Sequence, residues 1–313
     1  MKKRASVLPL ALLLDFWLGD PPNRWHPVAW MGRALGWAQQ HAPGQNTANF
    51  HQMLFGAGVT LVGAGTAAGL GRCCMRVART LPWLPALLLE ALVLKMTLSV
   101  RGLVRAAEQI QRALQRNDLP AARHWLGWHL VSRKTQRLTE AQIVAATIES
   151  VAENTSDGVV APLFFYSLGG VPAALAYRFV NTADAMWGYR TPTYEWLGKV
   201  PARLDDVANF IPARLTALLL IALRPMSGRA WHIWRRDASQ TTSPNAGHPM
   251  SAMAGALGVR LVKEKHYVLG AELAEPQVPT IIESVQLVKK TVLVAGFLLL
   301  MVAWWQARSV VHD

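Results

Sequence analysis

The chain is 313 residues long, 52% hydrophobic and only 16% charged, with a net charge of +13 and a mean hydropathy of +0.19. Soluble domains carry about 25% charged residues, so the composition excludes an ordinary soluble globule and points to a polytopic membrane protein in contact with a lipid bilayer. The basic excess suits cytoplasmic loops, anionic lipid or phosphate-bearing substrates; with no basic–aromatic module and no Cys/His finger, no nucleic-acid partner is expected.

Lys2, Lys3 and Arg4 precede the apolar run Val7–Leu14. This resembles the front of a signal peptide, but no small-residue cleavage site follows. The run reads as a short membrane-entering helix that stops at Gly19-Asp20-Pro21-Pro22. Asp15, Asp20 and His26 cluster at that stop, and acids ending an apolar helix are candidate functional groups. Met53–Leu70 and Leu81–Val100 approach the roughly 20 residues a spanning helix needs. Arg72, Arg76 and Arg79 lie between them, beside the adjacent Cys73 and Cys74, which predict neither a disulfide nor a zinc site.

Arg101–Glu140 is polar and basic, with helical spacing broken at Asn117-Asp118-Leu119-Pro120. Thr139 and Gln142 form a capping-box pattern that predicts a helix through Glu149. Gly158–Tyr177 is apolar but contains Pro162, Gly169, Gly170 and Pro172, which predicts two half-helices. Val207–Leu223 is expected to be interrupted by Pro212 and Arg214. Broken helices at membrane depth occur where they are buried or line a cavity. Thr291–Trp305 ends in the interfacial pair Trp304-Trp305. Strand signals are weak. The expectation is one all-α membrane-embedded domain over 1–313, with broken or re-entrant helices and cytoplasmic segments at 101–157 and 225–290.

Carboxylates and carboxamides concentrate between Glu149 and Arg214, in an apolar setting that makes uncompensated charge costly. Glu149, Glu153 and Asp157 follow i, i+4, i+8 spacing, which on an α-helix gives one face. The pattern Asn-Thr-x-Asp occurs twice, at Asn154–Asp157 and Asn181–Asp184. Asp205, Asp206 and Asn209 form a third group flanked by Arg203 and Arg214. Oxygen donors of this kind suit Mg²⁺ with substrate phosphate; a solvated stripe or a buried ion-pair network is the plainer alternative. Ser243–Pro249 is a turn cluster, and Pro249 suits the first position of a helix whose N–H groups would favour an anion. No Walker-A loop, Rossmann fingerprint, G-x-S-x-G or HExxH is present.

Long stretches in one order carry a resemblance: LDFWLGDPPNRWHPVAWMGR, LTEAQIVAATIESVAENTSDGVVAPLFF, AYRFVNTADAMWGYR, ARLDDVANFIPARLTALLL, and SPNAGHP with AMAGALGVRL. Over roughly residues 12–270 the chain resembles the CobD/CbiB family, the adenosylcobinamide-phosphate synthases of cobamide (vitamin B12) biosynthesis. The resemblance implies an integral ligase of the cytoplasmic (inner) membrane with its site facing the cytoplasm. It joins aminopropanol, as its O-phosphate, to a propionate carboxyl of adenosylcobyric acid, using ATP and Mg²⁺. Other late cobamide-synthesis enzymes are conceivable partners at the membrane.

On that reading Asp157, Asp184, Asp205 and Asp206 hold Mg²⁺, and Glu149 or Glu153, with Asn154, serves the chemistry. Arg133, Arg203, Arg214, Asn181, Asn209, Ser243, Asn245, Asp20 and His26 bind substrate or phosphate. Three places depart from the family pattern: Lys134 stands where Arg-Asp-Thr is usual, Met250-Ser251 follows Pro249 in place of an acid, and Val262–Lys265 replaces paired glycines. Two other classes fit the acidic motifs: an intramembrane Mg²⁺-dependent prenyltransferase, and a non-catalytic corrinoid-binding or transport protein with its site at broken helices. Complementation of a cobinamide-requiring mutant fed cobyric acid separates them.

Overall fold

The computed structural model describes residues 2–44, 47–224 and 227–309, with the side chains of 2–5, 227 and 303–309 left aside. The Trp304-Trp305 pair and the charges of Lys2, Lys3 and Arg4 therefore lie outside the described side chains. Among the described residues the α-helices are, in chain order, α1 (Lys2–Leu18), α2 (Pro27–Gln40), α3 (Asn49–Thr80), α4 (Trp83–Lys95), α5 (Val100–Gln115), α6 (Leu119–His129), α7 (Glu140–Thr155), α8 (Ala161–Trp187), α9 (Lys199–Ala208), α10 (Phe210–Ala222), α11 (Ser227–Asp237), α12 (Gly247–Leu257) and α13 (Val278–Ser309). Between α12 and α13 sits a small antiparallel hairpin, β1 (Leu261–Lys263) and β2 (Tyr267–Leu269), which occupies the segment where the chain leaves the family pattern.

The all-α class stands, and the chain is a helical polytopic membrane protein. Asn49–Thr80, Glu140–Trp187 and Val278–Val302 are long and apolar enough to cross a bilayer, and α4 with α5 makes a fourth if they count as one bent span. In α3 the apolar window is only 17% buried; Leu61, Val62 and Leu70 are exposed, as lipid-facing side chains would be.

Local chemistry accounts for many boundaries. Asp118 caps α6 by accepting from the Ala121 amide at 2.9 Å, and Thr139 with Gln142 closes the expected capping box on α7. His26 caps α2, its Nδ1 accepting from the Val28 amide at 3.2 Å. The expected break near residue 170 is present: Gly170 takes φ +69°, a left-handed value that suits glycine, and Pro172 follows.

Other boundaries differ from expectation. The second break falls at Asn209, between α9 and α10, whereas Pro212 lies in the first turn of α10, where a missing N–H costs nothing. α12 begins at Gly247, so Pro249 sits inside its first turn instead of at its first position. α3 continues past Leu70 through the arginines to Thr80.

The chain forms two compact units. The first comprises 1–99, 161–209 and 296–313; the second comprises 100–160 and 210–295. In the first unit α3 packs antiparallel on α8 through small residues. A methyl added at Gly71 would lie 2.9 Å from the Pro172 Cα, and one at Gly56 would lie 1.9 Å from the Leu197 carbonyl oxygen. In the second unit α12 is the buried centre, with α7, α10 and α11 against it. Asp237, at the end of α11, is fully buried. It accepts two bonds from Arg236 (2.6 and 2.9 Å), one from Gln240 and one from the Gly270 amide at 2.7 Å, thereby tying the hairpin to α11.

Candidate functional site

In the first unit the acidic motifs converge on Asp205. This α9 residue is 8% exposed, and its two oxygens accept from Asn181 Nδ2 at 3.2 Å and Asn209 Nδ2 at 2.9 Å. Both amides are themselves held. Asn209 Oδ1 accepts from the Tyr177 hydroxyl at 2.9 Å, and Asn181 Oδ1 accepts from Arg178 at 3.1 Å. Tyr177 in turn stacks on Phe165 at 4.9 Å.

The break after α9 makes this possible: Asn209 ends one helix and points its amide back one turn to Asp205. Burial pushes the Asp205 carboxyl up to about 6, although both amides favour its charged form. Asp206 is raised by burial too, against Arg203 at 3.6 Å and Arg190. The sequence grouped Asp205, Asp206 and Asn209 and put Asn181 in a separate motif with Asp184; the fold joins Asp205 to both asparagines. Tyr177 and Arg178 were missed; their only sequence signal is their place one helical turn before Asn181.

Asp184, half-buried on α8, lies so close to the chain at Gly188 that an added methyl there would come within 2.1 Å of its Oδ1. Elsewhere in the first unit Asp20 meets Lys95 at 3.1 Å and His26 at 3.5 Å, and Lys95, 1% exposed, also reaches Asp15 at 4.0 Å and donates to the Gly19 carbonyl. Burial raises the Asp20 carboxyl, but His26 and Lys95 together outweigh it and hold the group below its ordinary value. Lys95 was legible only as a charge inside an apolar run.

In the second unit Glu149 and Glu153 lie one turn apart on α7, but a π-helical turn, Ser156–Val160, carries Asp157. The expectation of three acids on one continuous α-helical face is thus corrected, because the wide turn shifts the phase after Thr155. Such turns are frequent at functional sites. Asn154 donates to the Ser150 carbonyl at 2.9 Å.

Glu149 is 5% exposed and its Oε1 has no hydrogen-bond partner among the described residues. Arg133, Lys263 and Glu153 act on it electrostatically, and the Tyr267 hydroxyl lies beside it. Burial first, then the Glu149 and Glu153 carboxylates, push that hydroxyl above the usual tyrosine range. Lys263 and Tyr267 come from the hairpin, so the departure from the family pattern supplies groups around Glu149. Lys134 is exposed, and nothing in the structure explains it.

Elsewhere in this unit Arg214 donates to Asn245 Oδ1 at 3.3 Å and to the Phe210 carbonyl at 2.7 Å. The Ser243 hydroxyl accepts the amides of Asn245 and Ala246, both at 3.2 Å. His248 Nδ1 accepts from Trp234 at 2.9 Å; burial, then Arg214, lowers this histidine to about 4, so it is neutral at physiological pH.

Among the described residues no three of His, Cys, Asp and Glu gather as a metal site. Mg²⁺ is commonly held by one or two carboxylates, with substrate phosphates and water completing its shell. Asp205 and Asp206 fit that more modest demand: hard oxygen donors, one of them presented by neutral amides with no ion pair within 4 Å among the described residues.

The sequence model of the family described as CobD/Cbib protein matches residues 8–294. The cobalamin biosynthesis protein CobD of Dehalococcoides mccartyi is 42% identical over 277 residues, covering 85% of this chain and 87% of that one. Its Klebsiella pneumoniae namesake is 42% identical over 273 residues (85% and 84%), and the CbiB protein of Salmonella typhimurium 41% over 271 (82% of each). No solved structure matches. With nearly the whole length matched by the family and by such relatives, the chain belongs to the CobD/CbiB family.

Proposed function

We propose that this protein takes part in cobalamin biosynthesis as a membrane-bound amide ligase. The substrates on this reading are adenosylcobyric acid and aminopropanol O-phosphate, the reaction consumes ATP with Mg²⁺, and the site faces the cytoplasm from the inner membrane. The observation that carries the reading is Asp205: a buried carboxylate positioned by two amides, with no ion pair within 4 Å among the described residues and Arg178 acting on it only from the neighbouring amide.

Amide formation from a carboxylate at neutral pH needs an activated acyl group, and phosphoryl transfer rests on positioning and charge neutralisation. Bound Mg²⁺ would supply that neutralisation. Asp205 and Asp206 would hold it, with Asn181 and Asn209 fixing the Asp205 rotamer, and Asp157 and Asp184 are further candidates. Arg203, Arg133 and Arg214 would bind phosphate oxygens, with Ser243 and Asn245 as companions of Arg214. Glu149, with one oxygen uncommitted, would take a proton from the attacking ammonium so that the amine lone pair is free; Glu153 and Asn154 lie beside it. Asp20 and His26 would order the loop that precedes α2.

The test is purified protein incubated with adenosylcobyric acid, aminopropanol phosphate, ATP and Mg²⁺, with the product read by mass spectrometry. Formation of adenosylcobinamide phosphate, abolished when Mg²⁺ is chelated, is the expected result. No product under any nucleotide or metal condition, together with tight corrinoid binding, would replace the ligase by a binding or transport role.

A further inference from the structure

The first unit contains a cavity of about 330 Å³ whose residues have no part in the reaction proposed above. Its walls come from three elements. The end of α3 contributes Arg72, Arg76 and Arg79; α4 contributes Glu90; and the break in α8 contributes the chain from Gly169 to Pro172. The three arginines recur at i, i+4 and i+7, so they share one helix face. None has an ion pair within 4 Å among the described residues. The one acid on the wall, Glu90, is held by the Tyr166 hydroxyl at 2.8 Å. Three guanidinium groups around one cavity repel each other unless an anion sits among them.

The fold builds this cavity by specific means. Gly71 lets α3 come within contact of Pro172, and Gly170 adopts the left-handed backbone that opens α8 at that level. The cavity is separate from the Asp205 group: Asn181 lies nine residues beyond Pro172 on α8, roughly 14 Å along the helix axis.

Its position identifies the class of anion. Residues 53–71 of α3 carry no charge, and nineteen helical residues rise about 28 Å, close to the hydrocarbon thickness of a bilayer. Arg72 is therefore the first residue past the apolar crossing. Trp83, 64% exposed just beyond α3, is the amphipathic residue favoured at that boundary. Leu70, Val77, Leu84 and Leu168, on the same three elements, are all exposed. A phosphate at this depth belongs to a phospholipid. Glu90 adds an acceptor that suits a headgroup bearing hydroxyl donors.

We propose that this cavity binds the headgroup of one anionic phospholipid, with the phosphate among Arg72, Arg76 and Arg79 and headgroup hydroxyls toward Glu90. The test uses the full chain, purified and delipidated in detergent, and native mass spectrometry with phosphatidylglycerol, phosphatidylcholine of the same acyl chains, or inorganic phosphate. One phosphatidylglycerol per chain should be retained in preference to phosphatidylcholine. Arg76→Gln should weaken retention about 5-fold and the triple change of Arg72, Arg76 and Arg79 to Gln on the order of 100-fold. Arg116→Gln, the same charge change at an exposed site in the second unit, should leave it as it was.

Equal retention by wild type and Arg76→Gln overturns the site, and so does an equal loss in Arg116→Gln. Equal binding of phosphatidylcholine overturns the anionic headgroup, and full displacement by equimolar inorganic phosphate overturns the lipid as its source. Because the arginines are exposed and none is placed in the chemistry, amide formation should persist in the single variant. A missing ligase activity in wild type therefore leaves this test intact.

Discussion

Replacing Asp205 by Asn separates a functional carboxylate from a structural one. Asp205 is raised from its ordinary 3.8 to about 6 because burial penalises the charge. A group raised on folding contributes stability that is complete below its unfolded value and is lost as pH rises through its folded value. Its contribution is therefore present near pH 4, falls through pH 6 and is nearly gone at pH 7.5. It is on the order of 1 kcal/mol at pH 5 and close to zero at pH 7.5.

Asparagine cannot titrate, so it loses this dependence. It also turns an N–H toward Asn181 or Asn209, each of which already donates there, at a cost of about 1–3 kcal/mol. Against that stands relief from the buried charge at neutral pH, roughly 3 kcal/mol for a shift of about two units. The two terms nearly cancel above pH 7. The variant should therefore melt within a few degrees of wild type at pH 7.5. At pH 5 the gap should move against the variant by on the order of 1 kcal/mol, or a few degrees for a chain of this size.

Thermal denaturation in detergent at the two pH values measures the gap, and the ligase assay at pH 7.5 measures function. A fall of activity by at least 100-fold with near-normal melting is the expected pair. A gap that is the same at pH 5 and pH 7.5 would refute the buried-charge reasoning, and full Mg²⁺-dependent activity would remove Asp205 from the metal site.

Glu149→Gln should lower turnover about 10²–10⁴-fold while substrate affinity changes little, as removal of a general base does; an equal fall in affinity and no change in turnover would make Glu149 a binding group. Asp237→Ala should cost about 1–3 kcal/mol, because it leaves the buried Gly270 amide and Gln240 without their acceptor while Arg236 keeps Glu272; a melting temperature indistinguishable from wild type would contradict that. Gly56→Ala should disrupt the first unit, since the methyl meets the Leu197 carbonyl, whereas Gly58→Ala, with nothing within 4 Å, should be neutral or slightly stabilising. Single cysteines at 137 and 190, in a protein with Cys73 and Cys74 replaced, should label from the same side of the membrane; labelling from opposite sides would end the single-site arrangement of the acidic motifs.

Much of this was legible because it rests on local chemistry. The capping box at Thr139, the cap at Asp118 and the opening of α8 at Gly170-Val171-Pro172 are written in a few adjacent residues. So was the group of Asp205 with Asn209, which one helical turn brings together. The π turn at Ser156–Val160 was not legible, since α and π helices share the same residue preferences and the extra residue is fixed by packing around Val160, Leu219 and Ala295. Nor was the partnership of Lys95 with Asp15 and Asp20, whose sequence separation of 75 to 80 residues leaves no periodic trace. Tyr267 and Lys263 reach Glu149 from a hairpin whose six strand residues are too few to give an alternating pattern.

The same contrast bears on how a buried acid should be read. Asp20 and Asp205 belong to one unit, and both sit in motifs that carry the family resemblance. Asp20 has a buried lysine at 3.1 Å and lies below its ordinary value, so Lys95 answers its charge directly. Asp205 has only neutral amides on its oxygens and lies well above its ordinary value. If Asp205 belonged to a structural ion-pair network, Arg203 would turn to it; instead Arg203, 73% exposed, reaches Asp206. A carboxylate held rigidly by dipoles, with Arg178 near but not paired to it, keeps part of its field for something that binds from outside. The energetic oddity of so many acids in an apolar chain thus resolves unevenly: the acids at 15 and 20 are paired directly by a buried lysine, and the acid at 205 is the one on which the proposed metal role rests.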